Sequence, residues 1–147
     1  MLSKNYRTTT EIAKAAYSLI EKDDNVTSNI NYVRPSVIDR QGEYPLYMHF
    51  CSEEKELEYI SNEISTRLYK KYNLKDIAII ARKKGQLYNA KDFLIKRGVN
   101  ADIIDKRNPN FDNDSVKLIT MHSIKGLEFN VVMIIGVNKD IIPILKK

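Results

Sequence analysis

Short, uninterrupted runs of apolar residues place the strongest constraint on the fold of this chain. Residues 77–80 and 131–135 contain only aliphatic side chains and methionine, and most of them are β-branched. Runs of this length and composition are typical of strands that are buried on both faces of a parallel sheet. Val116, Leu118 and Ile119 predict another buried strand. Such a sheet needs helices to cover it.

Amphipathic patterns around these runs predict the covering helices. Ser52 suits an N-cap, and it is followed at helical spacing by an apolar stripe: Leu57, Ile60, Ile64 and Leu68. Another helix is predicted from about residue 85 to 97, where Gly98 can end it. These helices alternate with the apolar runs.

The rest of the chain adds weaker signals. A capping-box pattern, Thr8-x-x-Glu11, predicts a first helix that ends near Lys22. Residues 46–50 and 103–104 predict further short strands. Because strands alternate with helices, we predict an α/β fold with a mainly parallel sheet covered by helices on both faces. Residues 1–147 are predicted to form a single domain of this fold.

Composition excludes several classes of protein. No apolar run is long enough to span a bilayer and no signal peptide is recognisable, so we expect a cytoplasmic protein. The single cysteine, Cys51, cannot form an internal disulfide, and no metal site is expected around it. We expect Cys51 to be a small core residue. The formal net charge of +5 favours polyanionic partners without identifying one.

Several polar residues follow the predicted strands. Arg82 comes after residues 77–80, and His122, Lys125 and Glu128 lie between the last two predicted strands. Arg7 precedes the first helix. In parallel α/β sheets, ligands bind at the carboxyl ends of the strands. If the strands are neighbours, these side chains lie on one rim of the domain.

Three strings then identify a family. Residues 3–8 (SKNYRT), 76–82 (DIAIIAR) and 120–129 (TMHSIKGLEF) resemble, in this order, motifs IV, IVa and V of UvrD/Rep-like superfamily 1 DNA helicases. The resemblance implies the second RecA-like domain, in a compact form without the large inserted subdomain that many relatives carry after the segment around Gly98. It also implies part of an ATP-dependent DNA helicase or translocase, an activity that often serves DNA repair.

The same resemblance implies roles for individual residues. Arg7 would act catalytically by contacting the γ-phosphate of ATP, and Glu128 would bind the ribose. Lys125 and Gly126 join the nucleotide-binding residues. Lys125 could instead pair with Glu128, and Gly126 could supply either a backbone angle or room for a close approach.

The resemblance also implies nucleic-acid contacts: Arg82, Thr120 and His122 would touch the backbone of single-stranded DNA. ATP with Mg²⁺ would be bound mainly by an amino-terminal RecA-like domain, the expected partner, since this chain has no G-x-x-x-x-G-K-[ST] phosphate loop. We therefore expect the isolated chain to be inactive as an ATPase. An alternative is a module without motor activity that binds nucleic acid or a transcription complex.

Overall fold

The computed structural model describes residues 8–22 and 40–138, which belong to two compact units, Met1–His49 and Phe50–Lys147. The first unit contains helix α1, Thr10–Ile20. Its N-cap is Thr9, whose hydroxyl accepts the backbone N–H of Ile12 at 3.4 Å. The predicted cap, Thr8, was thus wrong by one residue. Thr9 caps the helix because its own backbone is extended.

The second unit is built around a parallel sheet. Its helices are α2, Glu53–Thr66, and α3, Lys84–Lys96, and its strands are β1, Ile77–Ala81, β2, Ala101–Ile103, β3, Val116–Thr120, and β4, Val131–Ile134. Short 3₁₀ turns, Leu68–Lys70 and Leu74–Asp76, connect α2 to β1. The strand order is β2-β3-β1-β4, and every pairing is parallel. The predicted α/β fold with a parallel sheet is confirmed.

Both helices of this unit bury their apolar stripes in one core. Leu57, Ile60 and Ile64 of α2 and Leu87 and Leu94 of α3 share this core with alternate residues of the strands. The strand residues in the core are Ile77, Ile79, Ala81, Ala101, Val116 and Leu118. Since side chains alternate along a strand, this core lies on one face of the sheet. On the other face, Ala78, Ile80 and Ile119 are buried as well.

Two local predictions were wrong. Residues 46–50 form no strand, and Leu46 and Tyr47 are 75% and 82% exposed. An apolar run becomes a strand only where a neighbouring strand offers backbone partners, and the described residues offer this segment none. Cys51 is exposed because it lies at the surface bend just before Ser52, the N-cap of α2. No helix among the described residues is long and apolar enough to cross a membrane.

Candidate functional site

The carboxyl ends of β1 and β3 lie side by side. Ala81 is in register with Thr120, and the N–H of Met121 donates to the carbonyl of Ala81 at 3.0 Å. On the other side of β1, the N–H of Ile135 donates to the carbonyl of Ile80 at 2.9 Å. The backbone at this end of β1 is therefore held from both sides, and the residues that follow start from fixed positions.

Arg82 and His122 meet just beyond these strand ends. A guanidinium nitrogen of Arg82 lies 3.4 Å from Nε2 of His122, and both side chains are exposed. A guanidinium can only donate, so a hydrogen bond at this contact requires Nε2 of His122 to be the acceptor. The distance exceeds the usual range of N–H donors, about 2.7–3.2 Å. Both side chains can thus turn toward an anion at little cost.

Thr120 shapes the start of the loop between β3 and β4. Its hydroxyl donates to the hydroxyl of Ser123 at 3.0 Å, and its carbonyl accepts the N–H groups of Ser123 and Ile124 at 2.9 and 3.2 Å. These bonds turn the chain sharply as it leaves β3. His122 lies within this turn and so points away from the core into solvent.

A second turn contains Lys125 and Gly126. The N–H of Leu127 donates to the carbonyl of Ile124 at 3.0 Å, and Gly126 has φ +85°. A positive φ at the third residue is typical of a type II turn, where glycine is favoured. A side chain built at position 126 would meet nothing within 4 Å. Of the alternatives for Gly126, the backbone angle is therefore the one that this structure requires.

The other residues predicted for the site are Lys125, Glu128 and Arg7. Lys125 and Glu128 are both exposed in the same loop as His122. Arg7 lies outside the described residues. The structure thus brings Arg82 and His122 into contact and places Thr120, Lys125, Gly126 and Glu128 on or beside one loop. In residues 8–22 and 40–138, no group of three His, Cys, Asp or Glu side chains could hold a metal ion.

Glu56 is a residue at this end of the sheet that sequence patterns did not single out. Both of its carboxylate oxygens accept the N–H of Gly136, at 3.1 and 3.2 Å, just after β4. Burial raises the pKa of Glu56, while the bond from Gly136 opposes the shift. Gly136 has φ +63°, and a side chain there would collide with Gln86. The presence of a glutamate in the first turn of a helix is usually explained by its attraction to the helix dipole. Nothing in the sequence therefore indicated that Glu56 contacts Gly136.

Comparisons with known proteins show the family of this chain. The family model of the UvrD-like helicase C-terminal domain matches residues 1–108 and 105–147, which together cover the whole chain. The ATP-dependent DNA helicase Rep of Buchnera aphidicola subsp. Baizongia pistaciae (strain Bp) is 38% identical over 52 residues, which make up 35% of this chain and 7% of that helicase. The chain therefore resembles a small part of that relative. With its motifs, its parallel sheet and a match along its full length, this chain belongs to the UvrD-like helicase C-terminal domain family.

Proposed function

We propose that this chain is the second motor domain of an ATP-dependent DNA helicase or translocase, and that it holds single-stranded DNA at the carboxyl ends of β1 and β3. The contact between Arg82 and His122 is the observation that carries this proposal. Two exposed nitrogen-rich side chains meet there on a backbone that both neighbouring strands hold in place. The two side chains therefore start from fixed backbone positions, and both can turn toward a phosphodiester.

The chemistry of this pair suits backbone contacts without sequence readout. Arginine presents a planar, permanently charged fork that matches phosphate oxygens, and histidine can donate through either ring nitrogen. Such contacts position a strand without reading its bases. The net charge of +5 adds a general attraction for polyanions.

The nucleotide contacts belong to the same proposal. When bound between this domain and an amino-terminal RecA-like partner, ATP would supply the phosphoryl transfer that drives domain closure. Glu128 would accept hydrogen bonds from the ribose, and Lys125, with the backbone at Gly126, would lie toward the phosphates. Arg7 would reach the γ-phosphate. The exposed positions of residues 125, 126 and 128 are compatible with these roles.

One loop links the two proposed ligands. Thr120 and His122 begin the loop that follows β3, and Lys125 and Glu128 lie farther along it. Two consecutive turns of this loop, closed by backbone hydrogen bonds from Ser123 and Ile124 to Thr120 and from Leu127 to Ile124, would carry a shift at one end toward the other. Closure on the nucleotide would thereby change the grip on the strand, which is the coupling that a translocase needs.

Salt-dependent binding tests the DNA contacts. We expect Arg82→Ala and His122→Ala each to weaken binding of fluorescent oligo(dT), and Arg82→Ala to reduce the slope of log K against log salt by about 0.7. Lys70→Ala is the matched control for Arg82→Ala, since Lys70 is exposed at the opposite end of the sheet. His49→Ala, which removes another exposed histidine, is the control for His122→Ala.

The outcomes separate the candidate functions. Unchanged binding in Arg82→Ala and His122→Ala would remove the DNA assignment. Wild-type chain that binds no oligonucleotide, DNA or RNA, would instead favour a docking module without motor activity. Equal losses in the control variants would show that binding reflects only the net charge of the surface.

A further inference from the structure

A tight basic turn follows β2 at residues 105–108. Asp105 and Asn108 exchange backbone hydrogen bonds at 3.3 and 3.1 Å, and the amide of Asn108 donates to the carbonyl of Ile103 at 3.2 Å. The carboxylate of Asp105 also accepts the N–H groups of Arg107 and Asn108, at 2.8 and 3.1 Å. The turn is closed by its own backbone and side chains, so its tip is held in one conformation.

Both residues at the tip of this turn, Lys106 and Arg107, are cationic and exposed. In the described part of the chain, neither forms an ion pair. The nearby carboxylate of Asp105 is already occupied, because it accepts two backbone N–H groups and lies 3.5 Å from the ammonium of Lys84. Two positive charges are therefore carried by a backbone that is held in place, and among residues 8–22 and 40–138 neither has an ion-pair partner.

The position of the turn relates these charges to Arg82 and His122. β2 pairs in parallel with β3, with Ile103 opposite Leu118, and the N–H of Ile104 continues this pairing to the carbonyl of Leu118. The turn therefore follows the carboxyl end of β2, at the same end of the sheet as the loops after β1 and β3. Neighbouring strands are about 4.8 Å apart, so β2 lies about 10 Å from β1. This separation is within the reach of one extended nucleic-acid strand.

We propose that Lys106 and Arg107 bind the phosphate backbone of the single-stranded nucleic acid held by Arg82 and His122, and so extend its path to the β2 edge of the sheet. This inference rests on the proposed function. The fixed turn supports it, since the chain has already lost the conformational entropy that a flexible loop would lose on binding. A single strand is favoured over an acidic protein segment because the two basic sites share one rim of the sheet, at a separation that successive phosphates of one strand can span.

The double variant Lys106→Ala/Arg107→Ala tests this inference in the whole chain. Loss of two phosphate contacts should reduce the slope of log K against log salt for oligo(dT) by about 1.4, which corresponds to roughly 25-fold weaker binding at 0.1 M salt. The control is Lys70→Ala/Lys71→Ala, which removes the same charge from two adjacent, exposed lysines at the opposite end of the sheet. We expect the control to keep the wild-type slope. Circular dichroism checks that both variants are folded.

Each result decides the inference separately from the proposed function. If Arg82→Ala weakens binding but Lys106→Ala/Arg107→Ala does not, the DNA site stands and the extended path is wrong. Equal slopes in the two double variants would also overturn it, because net charge would explain the effect. Failure of the wild type to bind any oligonucleotide would overturn both proposals. Loss of binding to an acidic peptide but not to oligo(dT) would assign the turn to a protein partner instead.

Discussion

Replacement of Lys117 by methionine is expected to stabilise the fold, although it removes two hydrogen bonds. Lys117 is completely buried within β3. Its ammonium donates to the carbonyl of Asn113 at 2.7 Å and to the hydroxyl of Ser115 at 2.9 Å, and that hydroxyl donates to the carboxylate of Asp102 at 2.7 Å. The hydroxyl of Ser115 thus links the ammonium of Lys117 to the carboxylate of Asp102.

The balance of opposing terms sets the sign of the change. Hydrogen bonds to a charged group contribute about 1.5–3 kcal/mol each, and burial of an ammonium costs several kcal/mol. Burial is the main reason that the pKa of Lys117 is lowered, against the attraction of Asp102, Asp114 and Asp112 and with repulsion from Lys75. The ammonium is therefore less stable in the fold than in water.

Two substitutions separate charge from packing. Lys117→Met keeps a long unbranched stem and leaves the Asn113 carbonyl, on an exposed residue, to be hydrated. We expect it to raise the free energy of unfolding by about 1 kcal/mol. Lys117→Ala also removes most of the stem and leaves a cavity, so it should be about 2–4 kcal/mol less stable than the methionine variant.

The pH dependence gives an independent check. Between the lowered pKa of Lys117 in the fold and about 10.4 in the unfolded chain, the unfolded state binds more protons. The stability contributed at this position therefore rises with pH in that window. We expect the advantage of Lys117→Met over wild type to shrink as the pH approaches about 10.4.

Urea unfolding followed by circular dichroism measures these differences as shifts of the midpoint at constant m. Lys70→Met is the control, since substitution of an exposed lysine should change the free energy of unfolding by less than about 0.5 kcal/mol. A loss of more than about 1 kcal/mol in Lys117→Met would refute the reasoning, because the hydrogen bonds would then outweigh desolvation. A difference between the variants that does not change with pH would refute it equally.

Two further predictions concern the carboxyl end of the sheet and the nucleotide. The pKa of Glu56 is raised in the fold, so its contribution to stability is present at low pH and is lost as the pH rises through that pKa. The stability of wild type relative to Glu56→Gln should therefore fall above about pH 4. A constant difference between the two in urea unfolding from about pH 4 to 7 would contradict this. The purified chain should release no phosphate from ATP above the buffer rate, and turnover that disappears in Arg7→Ala would contradict that expectation.

Local sequence signals predicted the elements whose formation depends on nearby residues. Ser52 caps α2 and accepts the N–H of Lys55 at 3.2 Å, as its position before an apolar stripe indicated. Gly98 ends α3 with φ +79°, a conformation in which glycine is favoured. The buried strand β1 also lies where its apolar run predicted. Caps, glycine angles and side-chain periodicity act over a few residues, so they can be read from the chain directly.

Features that need distant partners could not be read in this way. The apolar run at residues 46–50 has the composition of a strand, but a strand also needs a neighbour, which composition does not specify. Lys117 interrupts an apolar run and would ordinarily be assigned to the surface. Its burial depends on Ser115 and the carbonyl of Asn113, which the turn before β3 brings within reach.

The candidate site, too, was predictable from the sequence only in part. The strings around Arg82 and His122 determined the family and the candidate residues from the sequence alone. Only the tertiary structure decided that these two side chains, 40 positions apart, lie 3.4 Å from each other, and that Lys106 and Arg107 follow β2 at the same end of the sheet. The physical reason is strand order: β3 is hydrogen-bonded between β1 and β2, and that arrangement depends on the core that all the strands share.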